Sequence, residues 1–189
     1  DVFGVSEDSV SSEQRRFAKV INFGLIYGMS AYGLARQLAV SRDQAQGYID
    51  AYFQQYPGVK QYMQNTRDFA REHGYVETLL GRKLYLPDIS AQQAPIRKQA
   101  ERAAINAPMQ GTASELIKLS MHAVQKVLSN YPNQAFLILQ VHDELVFEVD
   151  EHVVEDFIPQ VKHAMESVMQ LRVPLLVSTG VGSTWGKLH

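Results

Sequence analysis

Gln140-Val141-His142-Asp143-Glu144-Leu145-Val146-Phe147-Glu148-Val149-Asp150 is the stretch that decides how this chain folds. Two apolar runs, Ala135 to Val141 and Leu145 to Val149, meet at a tight connection of His, Asp and Glu. Two-residue hairpin loops favour Asn-Gly or Asp-Gly, because those residues tolerate positive φ. Here the tip carries an imidazole and two adjacent carboxylates, on strands apolar enough to belong to a core. Neighbouring carboxylates repel, so a fold holds them together cheaply only beside positive charge. A divalent metal is the natural candidate, and a solvated acidic turn is the plain alternative. The tip alone does not choose between them.

Composition narrows the setting. The 189 residues are 46% hydrophobic and 20% charged, which suits a globular chain with a substantial core. The absence of cysteine excludes disulfides, iron–sulfur clusters and thiolate zinc sites, and agrees with a reducing cytoplasm. No apolar run reaches the roughly 18 residues that would span a membrane, and no signal peptide opens the chain. It begins at Asp1 rather than at methionine, so a fragment of a longer protein is expected. The net charge of −2 is uneven: residues 1–102 hold 13 Lys/Arg against 11 Asp/Glu, and residues 103–189 hold 5 against 9. A basic part beside an acidic part suits an enzyme that grips a polyanion and chelates cations. Many ordinary domains show the same imbalance.

Outward from the hairpin, punctuation residues mark the elements. Ser11 with Gln14 and Ser41 with Gln44 form capping boxes, predicting helices from there to about Tyr27 and Gln55. Gly28 and Gly33 bracket a short helical piece carrying Leu34 and Leu38. Pro57-Gly58 interrupts, and a further helix runs to about His73 with Gly74 as its C-cap. Tyr75 to Leu86 alternates as a hairpin turning at Leu80-Gly81. A loop covers Pro87 to Pro95. A long Ala-rich helix covers about Ile96 to Leu128, which Pro108 should bend or split. Past the central hairpin come a helix from about Val153 to Leu171 and a strand near Leu175 to Val181. Helices first and strands later predict an α+β fold with few strands.

Three side-chain rows stand out. Arg15, Lys19, Phe23 and Tyr27 recur every four residues, and each step drifts only roughly 40° around a helix. Two cations followed by two aromatics suit a ligand with phosphates at one end and a flat ring at the other. Aromatics at this spacing also occur as ordinary core. Gly24 and Gly28 each cost a helix about 1 kcal/mol relative to alanine. They indicate a bare backbone surface against which a base pair, or another helix, packs closely. Arg102, Asn106 and Gln110, with Ala103, Ala104 and Ala107 around them, have the side chains that contact phosphates, sugars and base edges. A solvated polar face reads the same way. Arg97 and Lys98 extend the positive charge there.

Together these motifs carry a resemblance. Arg15-Arg16-Phe17-Ala18-Lys19-Val20-Ile21-Asn22-Phe23-Gly24-Leu25-Ile26-Tyr27-Gly28 resembles motif B of the family A DNA polymerases, and Gln140-Val141-His142-Asp143-Glu144 resembles motif C. Ala104-Ile105-Asn106-Ala107-Pro108-Met109-Gln110-Gly111-Thr112-Ala113 is similar to the same family, as is Tyr75-Val76-Glu77-Thr78 through Gly81-Arg82-Lys83-Leu84. The likeness covers essentially the whole chain in the family's order. It implies a mainly helical fingers part over residues 1–75 and part of an antiparallel palm sheet over residues 76–189. The implied activity is DNA-directed DNA synthesis in replication and repair, by two-metal nucleotidyl transfer with Mg²⁺. Implied partners are primer–template DNA and deoxynucleoside triphosphates, in a bacterial cytoplasm at the nucleoid.

Residue by residue, the resemblance implies that Arg15 and Lys19 hold the triphosphate, with Lys19 acting at the reacting phosphates. Phe23 packs on sugar and base, and phenylalanine there resembles members that reject dideoxynucleotides. Tyr27 occupies the template position until the helix closes. Asp143 ligates Mg²⁺ with Glu144 in support, His142 approaches the primer terminus, and Arg102, Asn106 and Gln110 line the duplex. One departure matters. The family's second metal carboxylate lies in a segment written Asp-Tyr-Ser-Gln-Ile-Glu-Leu-Arg, absent from this sequence and expected upstream of Asp1. Two metals roughly 3.5–4 Å apart need carboxylates on both sides. The chain alone is therefore expected to lack activity, and to self-associate if palm strands are missing. A non-catalytic nucleotide- or DNA-binding fragment is the rival. A metal-dependent nuclease built on Asp143 and Glu144 ranks last, because it leaves the Arg15 to Tyr27 helix unexplained.

Overall fold

The computed structural model describes residues 10–187. Serine hydroxyls start the first three helices. Ser11 Oγ accepts the Gln14 N–H at 3.1 Å while Gln14 Oε1 accepts the Ser11 N–H at 2.9 Å, opening α1 (Ser12–Ile26). Ser41 and Gln44 repeat the exchange at 3.2 and 3.0 Å to open α3 (Arg42–Gln55). Between them Ser30 Oγ accepts from Gly33 N–H, starting α2 (Ala31–Leu38). Each cap satisfies a backbone donor that the helix itself cannot, worth about 1 kcal/mol. Pro57 does not so much interrupt as begin: it sits in the first turn of α4 (Pro57–His73), where its missing N–H has no helical partner to lose. Gly74, at φ +76°, closes α4 as the sequence predicts.

The inward stripes of α1, α2 and α3 build one core from Ile21, Leu25, Leu34, Leu38, Ala45 and Tyr52. The Tyr52 hydroxyl crosses to Asn22 Oδ1 at 2.8 Å, pinning α3 to α1. The short hairpin of β1 (Tyr75–Glu77) and β2 (Lys83–Tyr85) pairs Val76 with Leu84 and turns at Gly81, φ +80°. A 3₁₀ turn over Pro87–Ser90 leads into α5 (Ala94–Leu128). A second core of Ala70, Val76, Leu86, Ile89, Ala100 and Ala104 joins these pieces, and Arg71 Nη2 reaches Glu101 Oε1 at 2.7 Å.

Pro108 does not split α5, which runs through it as one helix of 35 residues. Proline removes a single N–H, the one directed at the Ala104 carbonyl, and crowds that turn. The Tyr62 hydroxyl donates to the adjacent Ile105 carbonyl at 3.0 Å, so the opened turn gains a donor from α4. Burial raises the Tyr62 phenol above its ordinary pKa, which keeps it protonated as a donor.

Beyond Met109 the chain forms its second compact unit: the units are Asp1–Met109 and Gln110–His189. In the second, β3 (Ala135–Val141) pairs antiparallel with β4 (Glu144–Val149), Val141 opposite Glu144. Ile138 is an extra residue between the Leu137–Phe147 and Leu139–Val146 pairs, a β-bulge. α6 (Val154–Glu166) covers a core of Val124, Tyr131, Ala135, Phe157, Val161 and Met165. The Tyr131 hydroxyl makes a very short contact with Asp156 Oδ2, and Gln160 Nε2 reaches the same oxygen at 3.1 Å.

The α+β class is as expected, with helices predominating and two small antiparallel sheets. Two C-terminal expectations are corrected. The last helix ends at Glu166 rather than Leu171, and no strand forms near Leu175 to Val181. The Val177 N–H is taken by the Glu166 carboxylate at 2.8 Å instead of by a strand neighbour. Glu166 thus fastens the returning chain by a side chain, where the alternating sequence predicts a ladder. Among the described residues no helix is long and apolar enough to cross a membrane.

Candidate nucleotide and nucleic-acid interface

The capping box fixes where α1 begins, and the buried pair Ile21 and Leu25 fixes which way it faces. The opposite side carries Arg15, Lys19, Phe23 and Tyr27, all exposed. Phe23 is 55% and Tyr27 43% accessible, against 1% and 2% for Ile21 and Leu25. The aromatics at this spacing are therefore not core. Two cations followed by two open rings line one face of a rigid helix, offering charge for an anion and π-surface for a flat group.

The glycines on the next row resolve an alternative that the sequence leaves open. A Cβ on Gly24 would meet the Met29 thioether at 3.1 Å, and one on Gly28 would meet Arg102 Cγ at 2.8 Å. Their bare surface is filled by this chain's own side chains. On α5, Arg102 and Gln110 are exposed, while Asn106 is half-buried. Asn106 Oδ1 is fully buried with no hydrogen-bond partner in the structure. A buried acceptor without a donor costs about 1–3 kcal/mol.

At the hairpin tip, His142 takes the left-handed conformation, φ 53°, that a two-residue turn demands. Side chains with a Cβ reach this region at a cost, and such positions cluster at functional sites. Gln140 Nε2 donates to the His142 carbonyl at 2.7 Å and braces the turn. His142, Asp143 and Glu144 are all exposed. The structure thus gathers the helix face in one compact unit and the acidic tip in the other. Gln140 is a functional residue that the sequence does not single out; the only cue is its place two residues before the hairpin tip it braces.

Metal chemistry is tested by the donor set. Asp143 and Glu144 offer the hard oxygens that Mg²⁺ prefers. Among the described residues, however, no group of three or more His, Asp and Glu side chains is placed to hold an ion. The tip fits one wall of a hard-cation site and does not make a centre by itself.

Comparison with known proteins decides the family. A family model for DNA polymerase family A matches residues 1–187. The chain belongs to DNA polymerase family A. It is 55% identical over 189 residues to DNA polymerase I of Pseudomonas aeruginosa, covering all of this chain and 21% of that protein. It is 47% identical to DNA polymerase I of Bacillus caldotenax, over 98% of this chain and 21% of that one. Among solved structures, the polymerase domain of Pol1 from M. smegmatis in complex with DNA primer-template and dNTP superposes with a TM-score of 0.95 at 41% identity. That match covers 99% of this chain and 33% of the other. The family A chain thus spans about a fifth of the length of these curated relatives.

Proposed function

We propose that this family A chain supplies the nucleotide-holding helix and one metal-binding carboxylate of a DNA-directed DNA polymerase. The observation that carries the reading is the exposed Arg15, Lys19, Phe23 and Tyr27 face on a helix whose other side is locked in a core. Arg15 and Lys19 hold the triphosphate of the incoming deoxynucleotide, with Lys19 stabilising charge that develops on the transferring phosphate. Phe23 stacks on its sugar and base, and Tyr27 borders the template. On this reading residues 1–75 act as fingers and residues 76–189 as part of the palm. Arg102, Asn106 and Gln110 follow the duplex. His142 lies at the primer terminus. Asp143 is a Mg²⁺ ligand with Glu144 beside it, the metal lowering the charge between nucleophile and phosphate when bound.

The 189 residues contain one of the two carboxylate motifs such chemistry needs. Primer extension tests this directly. The chain alone is expected to extend nothing, and to extend a primer when combined with a polypeptide supplying the second carboxylate motif. Extension by the combined system that survives Asp143→Asn would refute the role of Asp143. Templated synthesis by the chain alone would refute its incompleteness. If the combined system binds DNA and deoxynucleotide yet never extends, the non-catalytic binding fragment is the correct reading.

A further inference from the structure

We propose that Gly28 is a positioning residue for Arg102. Its missing side chain seats the aliphatic stem of Arg102 and so fixes where the guanidinium is presented. The inference rests on the DNA-contacting role given to Arg102 above. Gly28 lies two residues past the end of α1 at φ +73°, and a Cβ there would stand 2.8 Å from Arg102 Cγ, 3.4 Å from Cδ and 3.9 Å from Cβ. Separations below 3.0 Å are not tolerated, and the atoms met are the root and middle of the stem rather than its mobile end. Arg102 cannot give way by swinging its tip. It must change rotamer or move with α5.

Other glycines show that this is more than turn geometry. Gly74 and Gly81 also have positive φ, yet nothing lies within 4 Å of a Cβ on either, so conformation alone accounts for them. Gly24 abuts a flexible methionine thioether. Gly28 combines the left-handed backbone with a seat for a charged residue that is itself exposed. The end of the Arg15 to Tyr27 face and the first cation of the α5 row therefore share one contact. A change in either is felt by the other without any ligand between them.

The test is binding of a labelled primer–template by the chain across a salt series, for wild type, Arg102→Ala, Gly28→Ala and the double variant. Arg102→Ala is expected to weaken binding and lower the log–log salt slope by about one, as for a lost phosphate contact. Gly28→Ala is expected to do the same although every charge is retained, and to add nothing in the Arg102→Ala background. If Arg102→Ala leaves the slope unchanged, the DNA role of Arg102 falls and this inference with it. If Arg102→Ala flattens the slope while Gly28→Ala does not, or if the two effects add, the seat is refuted and the DNA role stands. Should Gly28→Ala unfold the chain, Gly28→Asn, which tolerates the positive φ but still carries a Cβ, is measured in its place: a flattened slope supports the seat, and an unchanged one overturns it.

Discussion

Tyr62→Phe deletes one oxygen from the junction of α4 and α5, and its effect can be worked out closely. The hydroxyl donates to the Ile105 carbonyl at 3.0 Å, and Ile105 is 1% exposed, so no water readily replaces the donor. An ordinary intramolecular hydrogen bond contributes a net of about 1 kcal/mol, while stranding a buried partner costs about 1–3 kcal/mol. Phenylalanine recovers part of this by shedding a half-buried hydroxyl, so a loss of about 1–2 kcal/mol is expected. The turn already lacks the donor that Pro108 cannot supply to Ala104, so the two effects should couple. In a Pro108→Ala background the helix regains that N–H, and Tyr62→Phe should cost less by at least about 0.5 kcal/mol. Urea unfolding followed by circular dichroism, on all four proteins of the cycle, measures both numbers. A Tyr62→Phe cost below about 0.3 kcal/mol, or strict additivity with Pro108→Ala, would refute the idea that α4 supports the proline turn.

Lys19→Ala removes a charge-assisted phosphate contact worth about 1.5–3 kcal/mol, so deoxynucleotide affinity measured by titration calorimetry should fall about tenfold or more; an unchanged constant would remove Lys19 from the site. Burial raises the phenols of Tyr52 and Tyr62, and the hydrogen bond to Asp156 raises that of Tyr131. A raised phenol favours the neutral folded form, so stability is fully present below about pH 10 and is lost as pH rises through the folded values. Thermal melts should therefore show a midpoint that falls as pH is raised above about 10, and a flat or rising one there contradicts the assignment. Phe136, Ile138 and Leu139 are 49%, 49% and 45% exposed on a strand with an open edge. Light scattering over a dilution series should detect self-association that Phe136→Lys reduces, whereas a monodisperse monomer at every concentration would count against it.

Much of this was legible because the signals are local. Ser11 with Gln14 and Ser41 with Gln44 announce helix starts through bonds that span three residues. Gly74 and Gly81 announce turns through their own φ. The hairpin around His142-Asp143 follows from two apolar runs of matching length. What escaped depends on distant partners. The continuity of α5 through Pro108 involves a hydroxyl 43 residues from the carbonyl it serves. Where alternation predicts a strand, the Val177 N–H meets the carboxylate of Glu166, a residue eleven positions away. The exposed row on α1 was readable as a periodicity, but only the burial of Ile21 and Leu25 says which row faces out. The seat of Arg102 on Gly28 could not be read at all, since the 73 intervening residues carry no trace of it.

The bulge at Ile138 has a consequence for changes of chain length rather than of side chain. β3 holds one residue more than its ladder uses, so an in-frame loss of that single codon leaves all six existing cross-strand partners able to pair as before. What disappears is the local bend and extra twist that a bulge introduces. A one-codon deletion at 138 therefore separates two properties that no substitution can part: which residues face each other along the hairpin, and the direction in which its acidic tip is aimed.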